Sequence, residues 1–310
     1  MKKIQNFLLV VLFVFAGIHI QAQEVPKASE NVNSYLIKFS DDYVHAMLDG
    51  DPEPLAIYLD ENVRLMPEYQ KTIIGKGNAV KYQRAFLRRF DILEYKREKL
   101  ETLDIGFRII EFGVFTMKVK LKENAEEYVI QGNYGNIWKM QDNGNPLLIT
   151  EAWNYSKQVE CAQYLVFDDV PVVDVALEAH VPVDDNISFE LAAINKLTEE
   201  FITQHDDYLW SQLYANGSKL VYSNSPIYSG KEQINAFLKE HVKYLPVFEK
   251  LDIRTDQIDN FGDYVIEYAS HIAIVKNGSW SDVNTGKNFV IWQRQADCSL
   301  KIFRSMAMYD

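Results

Sequence analysis

Apolar residues at Leu36, Phe39, Tyr43, Val44 and Met47 recur at helical spacing, which predicts a helix over residues 35–48. Gly50 and Pro52 follow it as stop signals. A short helix is expected over 53–58 and a strand over 62–66 that Pro67 ends. After the Ile74-Gly75-Lys76 turn, Asn78 can cap a third helix running to about Phe90. The pattern then turns extended, predicting strands over 98–107, 112–121, 127–140 and 147–155. Asn143-Gly144 marks a hairpin between the last two.

The same series then begins again. A helix is expected over 189–209, a strand over 219–223 and a helix over 232–244. Strands over 251–257, 264–275, 288–295 and 301–309 follow, broken by turns at Asn277-Gly278-Ser279 and Ala296-Asp297-Cys298-Ser299. Ser229-Gly230-Lys231 echoes Ile74-Gly75-Lys76, Val290-Ile291-Trp292-Gln293 echoes Asn136-Ile137-Trp138-Lys139, and Met306 to Tyr309 echoes Ala152 to Tyr155. A repeat this long is a duplicated domain rather than a solenoid unit. The chain therefore divides into a first domain at 31–157, an inter-domain segment at 158–186 and a second domain at 187–310. The segment is rich in Val, Asp and Pro and too apolar for a free linker, so it is expected to lie extended against one or both domains. Helices followed by a run of strands means α+β, with helices on one face of an antiparallel sheet. A curved sheet wrapped around helices makes a cone whose apolar interior is the natural place for a ligand.

The first 22 residues stand outside that plan. Lys2-Lys3, the apolar run Phe7 to Ile18 and a small residue at Ala22 form a cleavable secretory signal peptide. That predicts a periplasmic or extracellular protein with no membrane partner after cleavage. No cysteine follows the run, so a lipid-anchored N-terminus is not expected. The formal charge of the 310 residues is −12, and losing the leader removes two lysines. So acidic a chain, with scattered lysines, is no nucleic-acid binder. An oxidising compartment permits a bridge between Cys161 and Cys298, subject to the distance the fold sets between them. No His or Cys spacing suggests a metal site, and no cofactor is expected.

The order helix, short helix, strand, Gly-Lys turn, helix and strand meander resembles the nuclear transport factor 2-like (cystatin-like α+β roll) superfamily. The stretches Gly135 to Gly144 with Ile149 to Asn154, and Thr285 to Gln295, resemble its SnoaL-like and ketosteroid-isomerase-like branches. The resemblance implies two cone-shaped domains packed as an intramolecular pseudo-dimer. Isomerases of that kind combine a tyrosine on the first helix, a general-base aspartate before a proline and an acid on a later strand. Here Tyr43 falls on the tyrosine, but Met66 precedes Pro67 and Asn136 stands at the acid. In the second domain Phe201, Ser225 and Val290 take those places. The general base is absent from both, and isomerisation by that route is not expected.

Glu151 and Trp153 alternate onto one face of the last strand of the first domain, as do Asn136 and Trp138 on its neighbour. With Tyr43 and Met66 they form the expected ligand-binding set. Ser305 and Ala307 stand at the places of Glu151 and Trp153 in the second domain, so the cavity is expected in the first. The expected function is binding of a small apolar or aromatic molecule there. One alternative is an isomerase, dehydratase or cyclase using Glu151 or His205, placed opposite Met47, as acid/base. Another is a structural or interaction module with filled cones.

Overall fold

The computed structural model describes residues 27–178 and 180–310. The expected signal peptide at 1–22 lies outside the described residues. Helix α1 (Glu30–Asp49) starts at Ser29, whose side chain accepts from Val32 N, and stops at Gly50, left-handed at φ 75°. A 3₁₀ turn, Glu53–Tyr58, leads into β1 (Leu59–Pro67) and the short β2 (Ile73–Ile74). Helix α2 (Lys76–Arg89) runs straight into β3 (Phe90–Asp104). The meander continues through β4 (Arg108–Leu121), β5 (Glu127–Met140) and β6 (Pro146–Tyr155). The second domain repeats this with α4 (Asn186–Thr203), α5 (Asp207–Ser211), β7 (Tyr214–Val221), β8 (Ile227–Ser229) and α6 (Lys231–His241). It ends with β9 (Val247–Asn260), β10 (Tyr264–Asn277), β11 (Trp280–Arg294) and β12 (Leu300–Tyr309). The repeated Gly-Lys turn has one physical cause: Gly75 (φ 97°) and Gly230 (φ 81°) each enter a helix from a conformation that disfavours a side chain.

Each domain holds one six-stranded sheet, in the orders β2-β1-β6-β5-β4-β3 and β8-β7-β12-β11-β10-β9. The fold class is α+β in two domains, but the sheets are mixed rather than antiparallel. β1 runs parallel to β6, and β7 parallel to β12. Strand periodicity reports which residues face inward and not which neighbour a strand takes, so this pairing was invisible in the sequence. Strand β3 also begins eight residues before its expected start. Irregularities at Ile92/Glu94 and Lys99/Glu101 interrupt the alternation that would reveal it.

The inter-domain segment packs against both domains, with Val173 N bonded to Thr72 O and Val181 N to Thr255 O, but it is not extended throughout. It forms a 3₁₀ turn (Ala162–Tyr164) and a short helix, α3 (Val175–Glu178). Cys161, Leu165 and Phe167 are buried in the core of the first domain, where Phe167 meets Tyr82 edge-on at 5.3 Å. Cys161 and Cys298 are free thiols, one buried and one exposed.

The outer faces of the two sheets pack on each other. Met66, Ile110, Phe112 and Ile137 of the first domain share one apolar cluster with Ile266, Tyr268, Phe289 and Met306 of the second. Phe112 stacks on Phe289 at 5.9 Å, and Thr150 Oγ1 meets Tyr268 OH at 2.7 Å. The contacts are reciprocal. Tyr69 N donates to Tyr309 O at 3.0 Å, and their counterparts Asn224 N and Tyr155 O bond at 2.7 Å. Likewise Arg64 reaches Gln257 Oε1 at 3.3 Å while its counterpart Lys219 reaches Glu101 at 3.2 Å. Such reciprocity is the mark of an isologous, two-fold-like interface.

Candidate functional site

The register of each sheet places inward residues in rows, so the two interiors can be compared position by position. Glu111, Asn136 and Glu151 form one row in the first domain, matched by Glu267, Val290 and Ser305 in the second. The next rows pair Tyr134 with Trp153, and Asn288 with Ala307. Then Arg97, Phe115 and Tyr155 correspond to Ile253, His271 and Tyr309.

In the first domain the interior is nearly full. A cavity of about 40 Å³ remains among Tyr43, Arg97, Tyr134, Glu151 and Trp153. That has room for water but lies far below the few hundred Å³ of a ligand pocket. Arg97 occupies it. Its guanidinium lies between the rings of Tyr43 and Tyr134, 4.3 and 4.2 Å from their centres, and donates to Glu151 Oε1 at 3.3 Å. Burial holds the Glu151 carboxyl above the usual carboxylate range, against the pull of Arg97.

Of the expected set, then, Tyr43, Glu151 and Trp153 come together around this small void. Asn136 and Trp138 point into the same interior but are bound to Glu111. Asn136 Nδ2 and Trp138 Nε1 each donate to Glu111 Oε2 at 3.1 Å, and Tyr134 OH donates to Oε1 at 3.1 Å. Met66 does not belong with them. It faces the inter-domain cluster, because strand alternation turns Leu65 inward and Met66 outward. His205 also lies apart. It ends the helical run in a left-handed conformation (φ 57°), and its Nε2 sits 3.1 Å from Pro246 O. The residues that carry on the inner face of α1, those of Tyr43 and Met47, are Thr198 and Ile202 rather than Phe201 and His205.

The roomy interior is in the second domain, which corrects the expectation of a cavity in the first. A cavity of about 450 Å³ lies between α4, α6 and the sheet, within the range of small-molecule sites. The residue exchanges account for it. Tyr43, Arg97, Met117, Tyr134 and Trp153 become Thr198, Ile253, Ala273, Asn288 and Ala307. Each step removes side-chain volume from the same interior.

Glu267 lies at the wall of this cavity and is the counterpart of Glu111. Asn195 Nδ2 and Trp292 Nε1 donate to it, both at 2.8 Å, as does Thr255 Oγ1. Burial pushes its carboxyl up despite those three donors. The sequence carried a signal for this pair, Ile110-Glu111-Phe112 and Ile266-Glu267-Tyr268, a lone acid in an apolar strand at the same place in both copies. Two histidines also line the cavity. Burial lowers both, His271 to about 4, so both imidazoles are neutral near pH 7. Among the described residues no cluster of three or more His, Cys, Asp or Glu could hold a metal ion.

No family model and no curated protein matches this chain. Similar solved structures each correspond to about one domain. A ketosteroid isomerase-like protein from Erwinia carotovora atroseptica is 14% identical, covering 39% of this chain and 92% of its own, with a TM-score of 0.33. An NTF-2 like protein of unknown function from Shewanella oneidensis is 16% identical over 40% and 99%, with a TM-score of 0.33. A nuclear transport factor 2 superfamily protein from Salmonella enterica is 15% identical over 40% and 89%, with a TM-score of 0.32. The two-domain α+β architecture follows from the sheet order and helix placement of this chain itself.

Proposed function

We propose that this chain is an exported small-molecule binding protein whose site is the interior of the second domain. The observation that supports it is the set of large-to-small exchanges that leaves about 450 Å³ there and about 40 Å³ in the first domain. Protein interiors are otherwise close-packed, and an unfilled core forfeits stability, so a void of this size needs a purpose. Its walls include Trp210, Tyr214, Phe237 and Trp292, which suits an aromatic or alicyclic body. The first domain is then a filled partner, and the two form an intramolecular pseudo-dimer that leaves the protein monomeric in solution.

The test is fluorescence titration with 2-methylnaphthalene, together with native mass spectrometry of the purified protein for a retained small molecule. Ala307→Trp, which restores the residue of the first domain, should abolish probe binding while the far-ultraviolet spectrum stays unchanged. A wild-type protein that binds no probe and carries no molecule, or an A307W protein that binds as well as wild type, defeats the reading. Light scattering should give a monomeric mass, and a stable tetramer or larger assembly would end the pseudo-dimer proposal.

A further inference from the structure

At two positions a phenylalanine of the first interior is replaced by a histidine in the second. Phe86 on α2 and Phe115 on β4 line the void of the first domain. Their counterparts on α6 and β10, His241 and His271, line the large cavity. Both are thus on the inner wall by the fold's own alignment. His241 stacks on Phe237 with ring centres 5.0 Å apart and meets Tyr222 edge-on at 4.8 Å. Its Nε2 is buried without a hydrogen-bond partner among the described residues. His271 lies over Gly286, where a Cβ would come within 2.4 Å of its Cε1. The glycine is what lets the imidazole lie against the sheet.

A buried polar nitrogen with no partner is costly, and a phenylalanine at the same place shows that the fold does not require it. The charge pattern of the walls adds a second constraint. No Lys or Arg is among the residues lining this cavity, and Ile253 replaces the arginine of the first domain. Glu267 is the carboxyl group among them. An anionic ligand would lose its hydration there and meet no cation on the walls, and the nearby Lys287 is already paired with Asp310.

We propose that His241 and His271 make the cavity a site for an uncharged, hydroxyl-bearing apolar molecule, a phenol or an alicyclic alcohol, and that carboxylates of the same shape are rejected. The ligand hydroxyl donates to one unprotonated imidazole nitrogen or accepts from an imidazole N–H, and its ring body fills the aromatic walls. This inference rests on the binding role proposed above and assigns that site its chemical class.

The experiment compares three probes of matched size, 2-naphthol, 2-methylnaphthalene and 2-naphthoate, by fluorescence titration at neutral pH. The expected order places 2-naphthol about tenfold tighter than 2-methylnaphthalene, the worth of one or two neutral hydrogen bonds, with 2-naphthoate weakest. His241→Phe and His271→Phe should each bring 2-naphthol toward the affinity of 2-methylnaphthalene and leave the latter bound. If either variant misfolds, His241→Leu and His271→Leu carry the same comparison, and the order of the three probes on the wild-type protein stands as a test by itself. Equal binding of 2-naphthol and 2-methylnaphthalene, or tightest binding of 2-naphthoate, overturns the inference while leaving the binding role intact. Failure of all three probes overturns the inference, and with no small molecule retained in native mass spectrometry it overturns the binding role as well.

Discussion

Two buried glutamates anchor the interiors of this molecule. Glu111 gathers Tyr134, Asn136 and Trp138 from β5, while Glu267 ties Asn195 of α4, Thr255 of β9 and Trp292 of β11. A buried donor left without its acceptor costs about 1–3 kcal/mol. Glu267→Leu should therefore destabilise the protein by roughly 3 kcal/mol or more, and Glu267→Gln by less, because the amide oxygen still accepts. Thermal melts of the two variants check the order. His271 gives a second residue-scale prediction. Its folded value of about 4 lies below the unfolded one, so the unfolded chain binds the extra proton first as pH falls. Stability is then fully present above about pH 6.5 and is lost as pH falls toward 4. His271→Phe should remove that part of the acid loss, measured as urea midpoints across the interval.

At the scale of elements, the difference between the domains lies in the facing surfaces of one helix pair and one sheet. The first domain is closed by its own side chains. Trp153 lies beside Tyr82 at 5.6 Å, and the segment carrying Phe167 packs behind it. Trp153→Ala should enlarge the 40 Å³ void and cost about 3–5 kcal/mol. Ala307→Trp, its mirror in the second domain, fills space that already exists. Unlike the deletion, it should raise the melting temperature. Opposite signs for these exchanges would identify one interior as built full and the other as built open. Equal losses would contradict that.

Between the domains lies a buried polar cluster that couples them. Glu68 accepts from Ser223 Oγ at 2.8 Å, and Lys287 Nζ donates to Gln70 O at 2.7 Å and to Asp310 Oδ1 at 2.6 Å. Burial pushes the Glu68 carboxyl up to about 7. Here the folded value lies above the unfolded one, so the native state keeps a proton that the unfolded chain has released. Its contribution is complete below about pH 4.5 and is lost as pH rises through 7. Its slope therefore runs opposite to that of His271 across an overlapping interval. Glu68→Gln should make the protein more stable relative to wild type at pH 8 than at pH 4, by up to about 3 kcal/mol. A variant-minus-wild-type difference that is flat with pH would refute this.

The sequence by itself determined the duplication, the α+β class, the order of the main helices and strands, and the Gly-Lys turns. These follow from local chemistry, namely periodicity, caps and backbone freedom, which each stretch of chain carries on its own. It also placed Tyr43, Asn136, Trp138, Glu151 and Trp153 in one interior. Only the tertiary structure decided which interior was open. The volume left inside a cone is a difference between facing side chains from five or six elements, and no single strand records it. The polar pair Glu151 and Asn136 looked like a site in the sequence, but Arg97 and Glu111, distant along the chain, already hold them. Ser305 and Ala307 looked like lost chemistry. In the fold they are the space itself, and His241 and His271 face into it.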